Sequence, residues 1–277
     1  MRVTLWGTRG SIPSAGPETV RYGGNTACVE VRAGDGSLLV LDAGSGIRRL
    51  GTTLSGHGGR IDLLLSHLHM DHVQGLGFFA PFFEPGAEVH LWGPSSTDQR
   101  MRERLTRYLS PPLFPVRIRD LPCALSIHGL TEEPFDLGPF RVTAGLICHP
   151  GGTLGYRIEE GGRVLAYLPD HEPALGVKAF PREPEWTSGY DLARGADVLI
   201  HDAQYTDAEY PEHEGWGHSA TSHTLAMAGL CGVGRLVTFH HDPSHGDDAL
   251  DAMHAEACRA ELPFTVVPGC EGLSFEV

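Results

Sequence analysis

Short apolar, β-branched runs broken by glycine recur through the first half of the chain: Val3 to Leu5, Cys28 to Arg32, Leu38 to Leu41, Ile61 to Leu65 and Val89 to Trp92. Runs this short, bounded by turn-forming residues, predict strands. Between them Ser45 to Leu54, after Asp42-Ala43-Gly44, and Thr97 to Leu109, closed by Ser110-Pro111-Pro112, have helical character. The second half repeats this grammar, with predicted strands Arg141 to Cys148, Gly155 to Glu159, Val164 to Leu168, Val198 to Ile200, Leu236 to Phe239 and Phe264 to Val267, and predicted helices Ala220 to Leu230 and Asp247 to Ala260. Residues 172–187, rich in Pro and Glu, read as a long surface loop. The alternation predicts an α/β protein in which two sheets pack face to face with helices outside, a four-layer αββα sandwich. No repeat, low-complexity tract or linker interrupts it, so residues 1–277 are expected to form a single domain.

Composition adds limits. With 41% hydrophobic and 20% charged residues the chain can bury a large core. Lys plus Arg is 21 against 35 for Asp plus Glu, a formal charge of -14. That sign opposes gripping long nucleic acid through its phosphates, while a small anionic substrate stays compatible where bound cations reverse the local field. The N-terminal run breaks at Gly7, and no apolar run approaches the roughly 18 residues that span a bilayer. The expected location is cytoplasmic, away from membranes, and association into a homo-oligomer stays open. The cysteines, Cys28, Cys123, Cys148, Cys231, Cys258 and Cys270, are dispersed and read as buried free thiols.

Histidine changes the picture, because 16 of them in one chain is a high count and several end apolar runs. After Ile61 to Ser66 come His67-Leu68-His69-Met70-Asp71-His72, four ligand-type side chains in six residues. A tight turn there can present His67 and His69 to one divalent ion while Asp71 and His72 face a second. Capping of the next helix, or plain solvation, is the competing reading.

The run His-x-His-x-Asp-His after an apolar strand resembles the signature of the metallo-β-lactamase superfamily. That resemblance implies the αββα metallo-β-lactamase fold and a dinuclear centre, with the first metal on His67, His69 and His149 and the second on Asp71, His72 and His240. Asp170 is the implied bridge, able to bind both ions and keep a hydroxide between them. His149, Asp170 and His240 each end an apolar run, as strands delivering ligands to one rim would require. His240 and His241 are adjacent; His240, first past the strand and followed by His-x-x-Pro spacing to Pro243, is favoured, leaving His241 beside the ligand or facing substrate. Histidine and carboxylate ligands without cysteine suit two divalent ions, zinc foremost, with manganese or iron also accommodated. Members that destroy β-lactams typically carry Cys at the position of Asp170 and are secreted, so antibiotic hydrolysis is disfavoured.

A second match narrows the branch. His201-Asp202-Ala203-Gln204 and Gly217-His218-Ser219-Ala220 resemble paired motifs of ribonuclease Z and cyclic phosphodiesterases, although Ala220 replaces the usual Thr. Carried over by position, Asp202 orients His218, which faces the scissile phosphate and protonates the departing alkoxide. The competing reading places His218 beside an N-cap at Ser219 and makes Asp202 a strand-end carboxylate bonded to a loop amide. The resemblance extends from Gly7-Thr8-Arg9-Gly10-Ser11-Ile12-Pro13 and Gly23-Gly24-Asn25-Thr26 to Asp242-Pro243. It departs in two places: no basic protruding arm of the kind that holds transfer RNA is evident, and Cys28 stands alone where some cyclic phosphodiesterases have a structural zinc site.

The expected activity is therefore metal-dependent hydrolysis of a small phosphodiester, a cyclic nucleotide or cyclic sugar phosphate, by a metal-bound hydroxide, with Asp71 or the bridging site as proton acceptor and His218 as acid. Carboxyl-ester or lactone hydrolysis on the same centre is the alternative. Weaker candidates are Trp216 for stacking on a base or sugar, Arg9 for a phosphate, and His171, His241, His245 and Asp242 as neighbours of ligands.

Overall fold

The computed structural model describes residues 1–173, 175–176, 180–259 and 261–277. Ala260, the expected end of the last helix, and residues 174 and 177–179 of the expected 172–187 loop lie outside the described residues.

The first half forms β1 (Arg2–Gly7), β2 (Cys28–Arg32), β3 (Leu38–Leu41), β4 (Arg60–Leu64), β5 (Glu88–Pro94) and β6 (Ala124–Leu130). The second half forms β7 (Phe135–Leu137), β8 (Phe140–Ile147), β9 (Thr153–Glu160), β10 (Arg163–Leu168), β11 (Val198–Asp202), β12 (Arg235–Phe239), β13 (Thr265–Pro268) and β14 (Ser274–Glu276). Helices α1 (Ile47–Thr53), α2 (Met70–Val73), α3 (Met101–Thr106), α4 (Tyr190–Ala193), α5 (Tyr210–His213), α6 (Thr221–Cys231) and α7 (Asp247–Ala257) lie between them.

The strands make two seven-stranded sheets, ordered β14-β1-β2-β3-β4-β5-β6 and β13-β12-β11-β10-β9-β8-β7. Strands β3 to β6 pair in parallel, as do β10 to β13. β3, β4, β10 and β11 are buried almost throughout, which explains their nearly unbroken apolar sequences. Between the sheets, Leu5, Val29 and Leu41 from one meet Tyr156, Ile200 and Phe239 from the other in a single core. Outside the first sheet, Val40, Leu63 and Leu91 pack on Ile47 and Leu50 of α1 and on Phe79. Outside the second, Ala166, Leu199 and Leu236 pack on Met227 and Ala228 of α6. The layers are thus helix, sheet, sheet, helix, and each large apolar side chain buried between them contributes roughly 1.5–3 kcal/mol.

Some expectations need correction. The helix expected over Thr97 to Leu109 is α-helical only from Met101 to Thr106, because the preceding polar residues bond locally: Asp98 N donates to Ser96 Oγ (3.3 Å) and Thr97 Oγ1 to Asp98 Oδ1 (3.1 Å). Strands β6, β7 and β14 were not anticipated; β6 is a half-exposed edge with polar residues inside it, and the other two span three residues each. All six cysteines are unpaired, but only Cys28, Cys123 and Cys231 are buried as expected: Cys148 and Cys270 are half-buried, and Cys258, just past α7, is exposed. Among the described residues, no helix is long and apolar enough to cross a membrane.

Candidate metal centre

The parallel strands end at one rim, and the ligand candidates stand there. Past β4, Leu65 and Ser66 lead into His67. His69 keeps an extended backbone (φ −65°, ψ 154°) and starts α2, so Asp71 and His72 project from the first turn of that short helix. His149 follows β8, Asp170 follows β10, Asp202 ends β11 and His240 follows β12.

These side chains converge. Donor atoms of His67, His69 and His149 lie within 4.8 Å of one another, and so do those of Asp71, His72, Asp170 and His240. Asp170 stands between the groups: its Oδ2 is 3.7 Å from both His67 Nε2 and His149 Nε2 and 3.2 Å from His240 Nε2, while its Oδ1 is 2.9 Å from His72 Nε2. Asp71 Oδ2 lies 3.3 Å from His72 Nε2 and 3.2 Å from His240 Nε2.

The set fits divalent metal. His67 Nε2, His72 Nε2 and Asp170 Oδ1 are buried without any hydrogen bond. A buried polar atom left unpaired costs roughly 1–3 kcal/mol, and cations held by the two ligand groups that these atoms belong to would satisfy them. Burial, then the adjacent His72, pushes His67 well below its ordinary range, and burial brings His149 down to about 4, so both present neutral imidazoles. Burial would also lower His240, but Asp170, Asp71 and Asp202 outweigh it and raise that ring to about 9. Burial opposes ionisation of Asp170, yet His240, His72 and His67 hold its carboxyl well below the usual range. A metal would replace the protons that these carboxylates now attract.

Outer partners fix the tautomers. His72 Nδ1 donates to Asp42 Oδ2 (2.8 Å), His149 Nδ1 to Gly217 O (2.8 Å) and His240 Nδ1 to Gln204 Oε1 (2.9 Å), which leaves each Nε2 lone pair facing the centre. Asp42 also accepts from Ser66 N (2.7 Å), Ser66 Oγ (2.8 Å) and Tyr167 OH (2.8 Å). Ser11 N donates to Asp71 Oδ2 at 2.8 Å. Ser11, Asp42 and His240 are the non-glycine residues with positive φ among those described, at 60°, 60° and 59°. That backbone is uncommon outside glycine, and here each instance aims a group at the same centre. Gly10 is needed beside it, since a Cβ there would lie 2.4 Å from His240 Nδ1.

Next to the centre, His218 Nδ1 donates to Asp202 Oδ2 at 2.7 Å. Asp202 Oδ1 accepts from Gln204 N (3.0 Å) and Ser219 N (3.1 Å), so the carboxylate is locked on both oxygens. A donor atom of His218 lies within 4.8 Å of donor atoms of His149 and Asp170.

The Beta-lactamase superfamily domain matches residues 39–241, a span that holds every ligand candidate from His67 to His240. The chain belongs to the metallo-β-lactamase superfamily. It is 29% identical over 266 residues to the uncharacterized protein Rv1339 of Mycobacterium tuberculosis, covering 92% of this chain and 86% of that one. It is 26% identical over 270 residues to Ribonuclease BN of Escherichia coli, covering 82% and 86%. Its fold is similar to that of the metallo-beta-lactamase fold protein YhfI from Bacillus subtilis, with a TM-score of 0.71 and 18% identity over 99% of this chain and 98% of that one. A diphosphatase from the PhnP family superposes with a TM-score of 0.70 and 20% identity over 100% and 97%. The chain is accordingly a metal-dependent hydrolase.

In this superfamily member several weaker candidates lie away from the chemistry. His241 is buried and its Nε2 donates to Gly269 O at 2.8 Å, so that nitrogen is turned to the backbone and not to the ligand cluster. Arg9 is fully buried and donates to Gly23 O (2.9 Å), Asp242 O (3.1 Å) and His245 O (2.6 Å), tying two loops together instead of reaching a phosphate. His245 bonds Glu209 (2.9 Å) and the His171 ring pairs with His201 (2.9 Å), but two of these residues do adjoin the site: Asp242 Oδ2 accepts from Gln204 Nε2 (3.0 Å), and His171 N donates to Asp202 Oδ2 (3.3 Å). Trp216 stays exposed, edge-on to His213.

Sequence reasoning missed Asp42, Ser11, Gln204 and Glu172. Asp42 had a signal, since it ends the apolar run Leu38 to Leu41 as Asp170 ends another. Glu172 had none: expected in a surface loop, it is fully buried and accepts from Tyr210 OH (2.8 Å), Gly215 N (2.8 Å) and Gly217 N (2.7 Å). It thereby holds the loop that supplies Gly217 O to His149. At Gly217, with φ 92°, a Cβ would lie 2.4 Å from His149 Nδ1.

Proposed function

We propose that this hydrolase cleaves a small phosphodiester, such as a cyclic nucleotide or cyclic sugar phosphate, with two divalent ions held by His67, His69, His149, Asp71, His72, Asp170 and His240. Zinc is the favoured metal. The observation that carries the reading is the Asp202–His218 pair beside the metal ligands, because a phosphodiester with an alkoxide leaving group needs a proton donor there, whereas a lactone does not need one in the same way. When bound, the ions supply an activated water and offset charge on the phosphate oxygens. Asp202 keeps the His218 ring oriented through Nδ1, so that Nε2 is the atom that donates to the leaving oxygen. Asp71 Oδ2 accepts from Ser11 N (2.8 Å), and Asp71 Oδ1 would take the proton from the attacking water. Similarity to Ribonuclease BN and to a PhnP-family diphosphatase, both named for phosphate chemistry, supports the choice. The net charge of -14 argues for a small substrate over a tRNA precursor.

The test is a panel of bis-aryl phosphodiesters, cyclic nucleotides and lactones offered to the metal-loaded protein. Turnover of cyclic or aryl phosphodiesters well above that of lactones is expected. Efficient lactone hydrolysis with no phosphodiester turnover would overturn the reading in favour of the carboxyl-ester alternative.

A further inference from the structure

Strands β11, β12 and β13 are parallel, so α6 (Thr221–Cys231) and α7 (Asp247–Ala257), which connect them, run side by side in one direction. A groove of about 640 Å³ lies between them, within the roughly 300–1,000 Å³ typical of small-molecule sites. Its floor is apolar. Leu225 of α6 lines it together with Ala249, Ala252 and Met253 of α7, which recur at helical spacing along one stripe. Ala249 and Ala252 are exposed and carry no bulk beyond Cβ, which leaves room between the helices.

The charge around the groove has one sign. Asp207, Glu209 and Glu256 line it, and among the described residues no lysine or arginine does. At the end where both helices begin, Asp207 Oδ1 accepts from Ser222 N (3.3 Å) and Glu209 Oε1 from His245 Nε2 (2.9 Å). His245 also lines the groove, is 7% exposed, and has its Nδ1 buried without a hydrogen bond among the described residues. Since Nε2 carries the proton given to Glu209, Nδ1 presents a lone pair. Buried acceptors are rarely left without a donor. Glu256 stands toward the other end of α7, about 10 Å beyond Ala249 along the helix axis. Its partner there is the exposed Arg259 (2.5 Å), and such a surface pair is weak.

We propose that the groove between α6 and α7 binds a linear aliphatic diamine, with its methylenes on Leu225, Ala252 and Met253 and one ammonium group at each acidic end. An ammonium carries donors and no acceptor, which suits His245 Nδ1 with Asp207 and Glu209 at one end and Glu256 at the other. An anion would meet three carboxylates, and a neutral hydrocarbon would leave Nδ1 unsatisfied. The inference does not depend on the phosphodiesterase reading, since none of the metal-ligand candidates lines the groove.

The experiment is calorimetric titration of the metal-loaded protein at physiological salt with terminal diaminooctane, octylamine and putrescine. One diaminooctane per chain is expected. It should bind about ten-fold or more tightly than octylamine, which lacks the second charge, and than putrescine, which is too short to reach both ends. Glu256→Gln should bring diaminooctane down to the affinity of octylamine while leaving octylamine itself unchanged. Ala252→Leu, at an exposed position, should fill the groove and weaken both ligands about ten-fold or more, with the thermal midpoint unchanged. Octylamine binding as tightly as diaminooctane, or diamine binding that survives Ala252→Leu, overturns the proposal. So does weak binding of several diamines per chain that neither variant alters, which is attraction to the acidic surface alone. Tighter binding of octanoate than of octylamine overturns the charge assignment and the diamine with it.

Discussion

His218 Nδ1 lies 2.7 Å from Asp202 Oδ2, and that contact determines which nitrogen of the ring can act on a substrate. With Nδ1 committed, a proton can leave only from Nε2. Asp202→Asn keeps the size of the partner but removes its charge, so turnover of an alkyl phosphodiester should fall roughly ten-fold, less than the full contribution of a general acid. The comparison is kcat/KM on alkyl and nitrophenyl diesters; a larger fall on the nitrophenyl substrate would contradict this role.

Asp170 touches both ligand groups, so Asp170→Ala should separate them. Elemental analysis of metal-saturated protein should give two ions per chain for the wild type and fewer for the variant, with most activity lost. Near-normal turnover by Asp170→Ala would refute a shared, dinuclear mechanism.

Asp42 holds His72 and accepts from Ser66 and Tyr167. Asp42→Ala should weaken metal affinity roughly 10-fold to 100-fold, the range typical of lost ligand-orienting partners. Competition with a chromophoric chelator measures it. Unchanged affinity would mean that His72 is aligned by packing alone.

The difference between Asp170 and Asp42 shows what a single sequence makes legible. His67, His69, Asp71 and His72 are adjacent in the chain, and His149, Asp170 and His240 repeat one local arrangement, a polar residue after an apolar run, so their meeting at one rim could be anticipated. Asp42 shares that arrangement, but its partner His72 is chosen by the parallel pairing of β3 and β4, which local pattern does not express. Glu172 is harder still, since burial of a charged residue depends on donors from Tyr210, Gly215 and Gly217 far along the chain. In the fold, interior strands were readable from continuous hydrophobicity, whereas β6, β7 and β14 are edge or minimal strands whose exposure dilutes the pattern.

Glu172→Ala leaves Gly215 N, Gly217 N and Tyr210 OH without their acceptor. Only Gly217 N is buried among these donors, so a loss of roughly 1–3 kcal/mol is expected from that unpaired group, with water replacing the carboxylate at the more exposed Gly215 N and Tyr210 OH. Urea unfolding reads the change, and a midpoint equal to that of the wild type would show that solvent replaces the carboxylate freely.

The acidic surface should prevent efficient handling of tRNA precursors. Trimming of a precursor 3′ end at physiological salt is expected to be weak or absent. Efficient trimming would overturn the small-substrate assignment while leaving phosphodiester chemistry intact.

The central claim, that His218 is the acid of a phosphodiesterase, is tested most directly by the leaving-group dependence of His218→Ala. Metal content of the variant should equal that of the wild type. On a diester with a poor alkoxide leaving group the loss in kcat should be roughly 100-fold to 10,000-fold, and on one that releases nitrophenolate, which needs little protonation, it should be far smaller. Equal losses on both substrates would contradict the account and make His218 a phosphate-binding or structural residue.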